Sequence, residues 1–476
     1  MRLRSSKVVP LLVSVALVAA ACGDDEEEPA SDDAAEEPAD DAAEEPADDA
    51  AEEPAADDDA AEESGGEEAA GGDLEGTLRV LIHQNPPGVE FMENFNSEFE
   101  EANPGVSVDM TVVNANDIEA TNQTRLTAND IDVTTISVTG FSNPVQPFME
   151  GADTPYWQQL IEAGLLMDLS DEPYLANYDE AAVADGSFDD SVYGLNLGRT
   201  VYSGTFVNLD VLADAGVEVP TTWEEYLAAC DAVEEAGNKC MIVGAQDSWP
   251  VFVGTYGLLG ALYPDQQALV EGLWTGDAAW NDEQGSELFD RYETFASRLD
   301  PESAGLTGDS AAQRFVAGDV AFGPSGAWNA GVIEEAAGFE WTYIPFPGSS
   351  DAADNQTLFG KYDMTFAVAA ETPVPDVASA YLAAFSEPDN YNAFANATAY
   401  IPTQPTAQLE TELGQAIAPL LEEGAFTVGY EQWWVGPKGA GQWANGSQAA
   451  LWLYDGSFGS ATEAADQSQA DLESGL

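Results

Sequence analysis

Tryptophans and forked polar side chains recur together at the ends of apolar runs in this chain. That pairing suits stacking and hydrogen bonding. The stretch QRFVAGDVAFGPSGAW, Gln313 to Trp328, reads as a helix end, a turn at Gly318-Asp319 and an apolar strand over Val320–Phe322. The loop Gly323-Pro324-Ser325-Gly326 then delivers Trp328. Glycine lets the backbone approach whatever Trp328 faces, and an indole is a flat platform for stacking, although it also packs well in a core. A second such place is Gln246-Asp247-Ser248-Trp249, which follows the apolar run Met241–Ala245. A third is Gln84-Asn85, just beyond TLRVLI. With one histidine in 476 residues, a His-built zinc site or a Ser-His-Asp triad is disfavoured. No stretch has the calcium-loop spacing of an EF-hand, and no metal or cofactor is expected.

The elements that must position these residues follow from periodicity. Thr77–Ile82 reads as a buried strand, and Val89–Ala102 as a helix with Phe91, Phe95 and Phe99 on one face. Asn103-Pro104-Gly105 stops the helix, and Val106–Val113 alternates as a strand. Strand–helix–strand order implies an α/β fold with a parallel sheet. Ligands of such sheets sit beyond the carboxyl ends of the strands, where Gln84 and Asn85 lie. His83 reads as a structural or rim residue. Ile131–Val138 is a further strand, and it leads to Asn143. Thr222 before Trp223-Glu224-Glu225 is a helix N-cap, which makes Trp223 a core residue. Cys230 and Cys240 bracket the second half of that helix, as a disulfide or as two buried thiols. Val251–Leu262 reads as one apolar helix and Glu283–Arg298 as an amphipathic one.

Length allows two or more domains. The chain carries 88 acidic residues against 12 basic, which argues against nucleic acid and against electrostatic adhesion to anionic membranes. Residues 74–476 alone hold 63 acids and nine bases, an excess that suits a surface adapted to high salt. At the amino end, a basic Met1–Lys7 precedes an apolar Val8–Val18 and Ala19-Ala20-Ala21-Cys22. This resembles a bacterial lipoprotein signal over residues 1–21, with Ala19 where leucine is usual and Cys22 as the lipidated first residue. Residues 22–73 repeat a DDAAEEPA-like unit with no apolar face, and read as a disordered acidic tether.

Several pieces, in order, resemble the extracellular solute-binding proteins (family 1, maltose and multiple-sugar type) that serve bacterial ABC importers. They are GLLMDLS, VYGLNLG, FVNLDVLADAGVEVPTTWEEY, the Phe…Gly…Gly-x-Trp pattern ending at Trp328, YIPFPG, and the late helix SATEAADQSQADLES. The resemblance implies a two-lobed, type II periplasmic-binding-protein-like α/β fold with discontinuous lobes joined by hinge crossings. Residues 74–200 and 366–427 would form one lobe, and 201–365 with 428–476 the other. It implies a monomer, not an enzyme, lipid-anchored outside the cytoplasm, that captures a sugar or oligosaccharide and delivers it to a permease.

A sugar needs planar rings for its C–H faces and forked groups for its hydroxyls. On this reading Tyr202, Trp249, Trp328 and either Trp433 or Trp434 stack. Gln84, Asn85, Asn143, Arg199, Asp247 and Asp363 take hydroxyls, Asp363 from the return crossing Phe359–Ala369. Arg199 reads equally as an interlobe salt bridge. Alternatives are the same fold binding iron, an anion or a polyol, a secreted glycoside hydrolase, or a tethered adhesion protein.

Overall fold

The computed structural model describes residues 74–137, 141, 145–422 and 426–476. The expected signal segment 1–21, the expected lipidation site Cys22, the expected tether to residue 73 and Asn143 lie outside the described residues.

The first strand, β1 (Gly76–His83), buries Leu78, Val80, Leu81 and Ile82 completely, as a parallel strand covered on both faces must. Helix α1 (Pro86–Ala102) starts three residues before the apolar periodicity does. Its prolines tolerate the first turn because they have no N–H to lose. The Asn85 side chain caps that turn by accepting from the Gly88 N–H at 3.3 Å. Phe91, Phe95 and Phe99 stack in succession at 6.2 and 6.3 Å along the helix. Strand β2 (Val106–Val113) pairs parallel to β1 in register from Gly76↔Val106 to His83↔Val113. Strand β3 (Val133–Thr135) covers only the middle of the expected 131–138 run.

Strands β4 (Leu195–Val201) and β5 (Gly204–Asn208) are joined through Tyr202-Ser203. Helix α2 (Trp223–Glu235) is capped by Thr222, which accepts from the Glu225 N–H at 3.3 Å, and Trp223 is buried. Strand β6 (Lys239–Met241) follows, and a disulfide joins Cys230 to Cys240 across Cα atoms 4.7 Å apart. The expected single helix over 251–262 is broken into α3 (Trp249–Val253) and α4 (Tyr256–Leu262). Gly254 lies at the break, and the Thr255 hydroxyl bonds back to the Phe252 carbonyl. Helix α5 (Glu283–Arg298) has the expected bounds. Helix α6 (Gly308–Phe315), strand β7 (Val320–Pro324), a single 3₁₀ turn at Ala327–Asn329 and α7 (Ala330–Ala336) carry the Trp328 stretch. Strands β8 (Trp341–Pro345), β9 (Leu358–Val368) and β10 (Phe426–Val428) lead to α8 (Tyr430–Trp433) and the late helix α9 (Ala461–Glu473).

These strands form two principal sheets. One runs β10-β9-β3-β1-β2, with β4 also paired to β9, and the other runs β8-β5-β7-β6. The chain leaves the first sheet between β4 and β5 and re-enters it at β9. Residues Leu358 to Thr365, assigned from sequence to the second lobe, therefore sit in the first sheet: β9 pairs with β10, β4 and β3 along its length. Each sheet has its own core. Phe95, Phe366, Tyr381 and Phe385 gather on the first, and Tyr226, Leu258, Phe289, Tyr292 and Phe322 on the second. Trp274 and Trp280 also lie in the second core, their indole N–H groups donating to the Val435 and Ala444 carbonyls at 3.1 and 3.0 Å.

Candidate functional site

A cavity of about 260 Å³ is lined from both sheets. From the first come His83, Gln84 and Asn85 at the end of β1, Asn116 beyond β2, and Lys361 and Asp363 on β9. From the second come Trp249 and Phe252 on α3, Asp309 on α6, and Trp328 and Asn329 beyond β7. Tyr202, between β4 and β5, and Glu431 on α8 complete it. Polar groups thus gather beyond the carboxyl ends of β1 and β2.

Trp249 and Trp328 face each other with ring centroids 5.8 Å apart and planes tilted by 59°. Local geometry holds both rings. Ser248 delivers Trp249 from a φ of +67°, a region costly for a side chain with a Cβ. A Cβ at Gly308 would lie 2.7 Å from the Trp249 ring, and one at Gly326 would lie 1.9 Å from the Trp328 ring. Only glycine leaves room for the indoles at these two positions. Met364, next to Asp363, also has a positive φ, at +51°.

The polar wall is heavily bonded. Asn85 donates to the Tyr400 hydroxyl at 2.7 Å while its oxygen caps α1. His83 Nε2 is 3.5 Å from Asp363 Oδ1, and Lys361 Nζ is 3.7 Å from Asp363 Oδ2. Burial holds the His83 imidazole below its ordinary value, with Lys361 adding to the effect and Asp363 opposing it. Burial also pushes the Glu431 carboxyl up, against the pull of Lys361 and a hydrogen bond from the Tyr256 hydroxyl at 3.1 Å. The Asp309 carboxyl is raised by burial and then by neighbouring Asp247. Tyr202 is kept a neutral phenol, first by burial and then by Glu431.

Of the residues singled out from sequence, the structure brings Gln84, Asn85, Tyr202, Trp249, Trp328 and Asp363 to this one cavity. Four do not line it. Arg199 donates to both Asp179 oxygens at 2.7 and 2.6 Å and to the Pro402 carbonyl at 3.0 Å. The cause is strand register. Arg199 pairs directly with Tyr362, and its guanidinium lies 5.2 Å from that ring. Directly opposed residues share a sheet face, whereas Lys361 and Asp363 alternate to the other. Asp247 accepts from the Gly308 N–H at 2.8 Å and so caps α6. Trp433 donates to the Val428 carbonyl at 3.4 Å, and Trp434 stacks on Tyr430 at 5.5 Å; both pack against the second core. Sequence reasoning passed over Lys361, Glu431, Asp309 and Phe252 as lining residues, and treated His83 as structural or rim. Lys361 had a signal: it stands two residues before Asp363 on a strand, hence on the same face. Glu431 had none, since only tertiary packing brings α8 to the cavity.

A family model described as bacterial extracellular solute-binding protein matches residues 95–419 of the 476. The chain belongs to this family. Membership makes it a binder of solutes outside the cytoplasm and not an enzyme. Solved structures of similar fold include the solute-binding protein RafE in complex with raffinose. It is 17% identical, with 83% of this chain and 98% of that one covered at a TM-score of 0.67. A chitin oligosaccharide binding protein is 18% identical, over 85% and 99% of the two chains, also at 0.67. The GacH receptor of Streptomyces glaucescens, solved unliganded and with acarbose, is 19% identical, over 84% and 99%, at 0.62. The fold of this solute-binding protein is accordingly the two-lobed, type II α/β architecture expected from its sequence.

Proposed function

We propose that this solute-binding protein captures a neutral sugar or oligosaccharide in the cavity and delivers it to the membrane subunits of an ABC importer. The observation that carries the reading is the pair Trp249 and Trp328, tilted rings 5.8 Å apart above a wall of carboxylate and amide groups. Rings offer flat apolar faces to sugar C–H groups, and Gln84, Asp309 and Asp363 offer hydrogen-bond partners to hydroxyls. Similarity in fold to proteins solved with raffinose and acarbose supports the same ligand class.

In this reading the protein is a monomer held at the membrane by lipid on Cys22. Lobe one comprises residues 74–201 and 358–427, and lobe two residues 202–357 and 428–476. The lobes close around ligand by hinge motion at the crossings, and ligand favours closure by binding that form more tightly.

A thermal-shift screen against mono- and oligosaccharides tests the reading. Ligand at a hundred times its Kd stabilises by about 2.7 kcal/mol through mass action. For the sugar that shifts melting, Trp328→Ala should weaken binding by about tenfold or more without altering the far-UV spectrum. Undiminished affinity in that variant would refute the assignment.

A further inference from the structure

Lys361 is the one lysine or arginine lining the cavity among the described residues, and its side chain is only 9% exposed. It sits on β9 of the first sheet, 3.7 Å from Asp363 Oδ2 on the same strand. Its ammonium also lies 5.6 Å from the centroid of the Trp328 ring, which arrives from the second sheet. Glu431 is near enough to feel the same charge. A buried ammonium is thus set among two carboxylates and one face of an indole, at the point where elements of both sheets meet.

We propose that Lys361, charge-matched by Asp363, sets the specificity of this site: the ammonium donates to a hydroxyl or ether oxygen of a neutral sugar, and the carboxylates around it exclude anionic solutes. The proposal rests on the sugar reading above. The first half follows from geometry. An ammonium 5.6 Å from the Trp328 centroid puts its N–H donors beside any sugar that packs against that indole, which orients the sugar. Lysine offers three donors, and a sugar stacked on Trp328 brings its ring oxygens toward them. The second half follows from charge. Asp363 matches the ammonium, so this wall carries no net positive charge for an anion to meet. Asp309 and Glu431 add negative potential to the extent that they ionise. A carboxylate or phosphate entering would lose its water against that wall with nothing to balance it.

The test uses thermal shift and calorimetric titration of the purified protein. Neutral probes are raffinose, maltotriose and N,N′,N″-triacetylchitotriose, and anionic probes are trigalacturonate and cellobionate. A neutral probe should shift melting and the anionic probes should not. For the neutral hit, Lys361→Met should weaken binding by about ten- to hundredfold, the range expected for a hydrogen bond from a charged group. Lys361→Arg should restore part of it. Asp363→Asn, which removes one of the two carboxylates beside the ammonium, should admit an anionic probe, and this arm decides the matter if Lys361→Met folds poorly. Unchanged affinity in Lys361→Met, an anionic probe binding the parent as well as the neutral hit, or no anion binding by Asp363→Asn overturns the proposal while the sugar reading stands. No shift by any neutral sugar overturns the sugar reading, and the proposed specificity with it.

Discussion

Arg199 and Lys361 stand on neighbouring strands, one pairing apart, yet only Lys361 faces the cavity. Pairing of Arg199 with Tyr362 turns the guanidinium to Asp179, where both carboxylate oxygens accept. Arg199→Ala should therefore lower stability by about 1 to 2 kcal/mol, the pair being partly exposed, and leave ligand affinity within about twofold. Denaturant unfolding and a ligand titration of the same variant read the two effects separately. A large loss of affinity would place Arg199 in the site after all. His83 supplies a second prediction. Burial lowers its pKa below 6.5, so the unfolded chain binds the proton more readily than the native state does. Stability from this residue is complete above pH 6.5 and declines as pH falls through that value toward the native pKa. Melting followed from pH 7.5 to 5 should fall less steeply in His83→Gln than in the parent. Equal slopes would show that His83 is not held neutral.

The segment from α6 to α7 shows how an element can be read locally and still need its neighbours. Its helix, turn and strand follow from periodicity and from Gly318, whose φ of +89° suits the turn. Gly326 has an ordinary φ of −74°, and its absent side chain matters only because the Trp328 ring folds back over it. Gly326→Ala should push the indole out of position and weaken sugar binding on the scale of Trp328→Ala. Full affinity in this variant, measured by titration, would mean that the ring has another place to lie. The break between α3 and α4 has a different origin. Apolar residues continue through 251–262, so periodicity alone joins them, and the Thr255 hydroxyl bond to Phe252 becomes visible only in the fold.

Across the whole molecule, residues 74–476 carry 63 acids against nine bases. Eight of those bases are already committed to ion pairs: Arg79, Arg125, Arg199, Lys239, Arg291, Arg298, Arg314 and Lys361. The remaining carboxylates repel one another across the surface, and salt screens that repulsion. The melting temperature should therefore climb steadily from low salt to molar potassium chloride. A flat or falling profile would remove the idea of a surface adapted to high salt.

The sequence by itself determined the α/β class, the family, most strand and helix positions, and three of the rings that reach the cavity, Tyr202, Trp249 and Trp328. These properties follow from local periodicity, capping and motif order, which a linear chain carries on its face. Beyond Asp363, tertiary structure decided which charges face the cavity. Arg199, Asp247, Trp433 and Trp434 were spent on an ion pair, a helix cap and a core, while Lys361, Asp309 and Glu431 were turned inward. Strand register and the approach of two sheets assign each side chain to one face, and both depend on residues far apart in the chain.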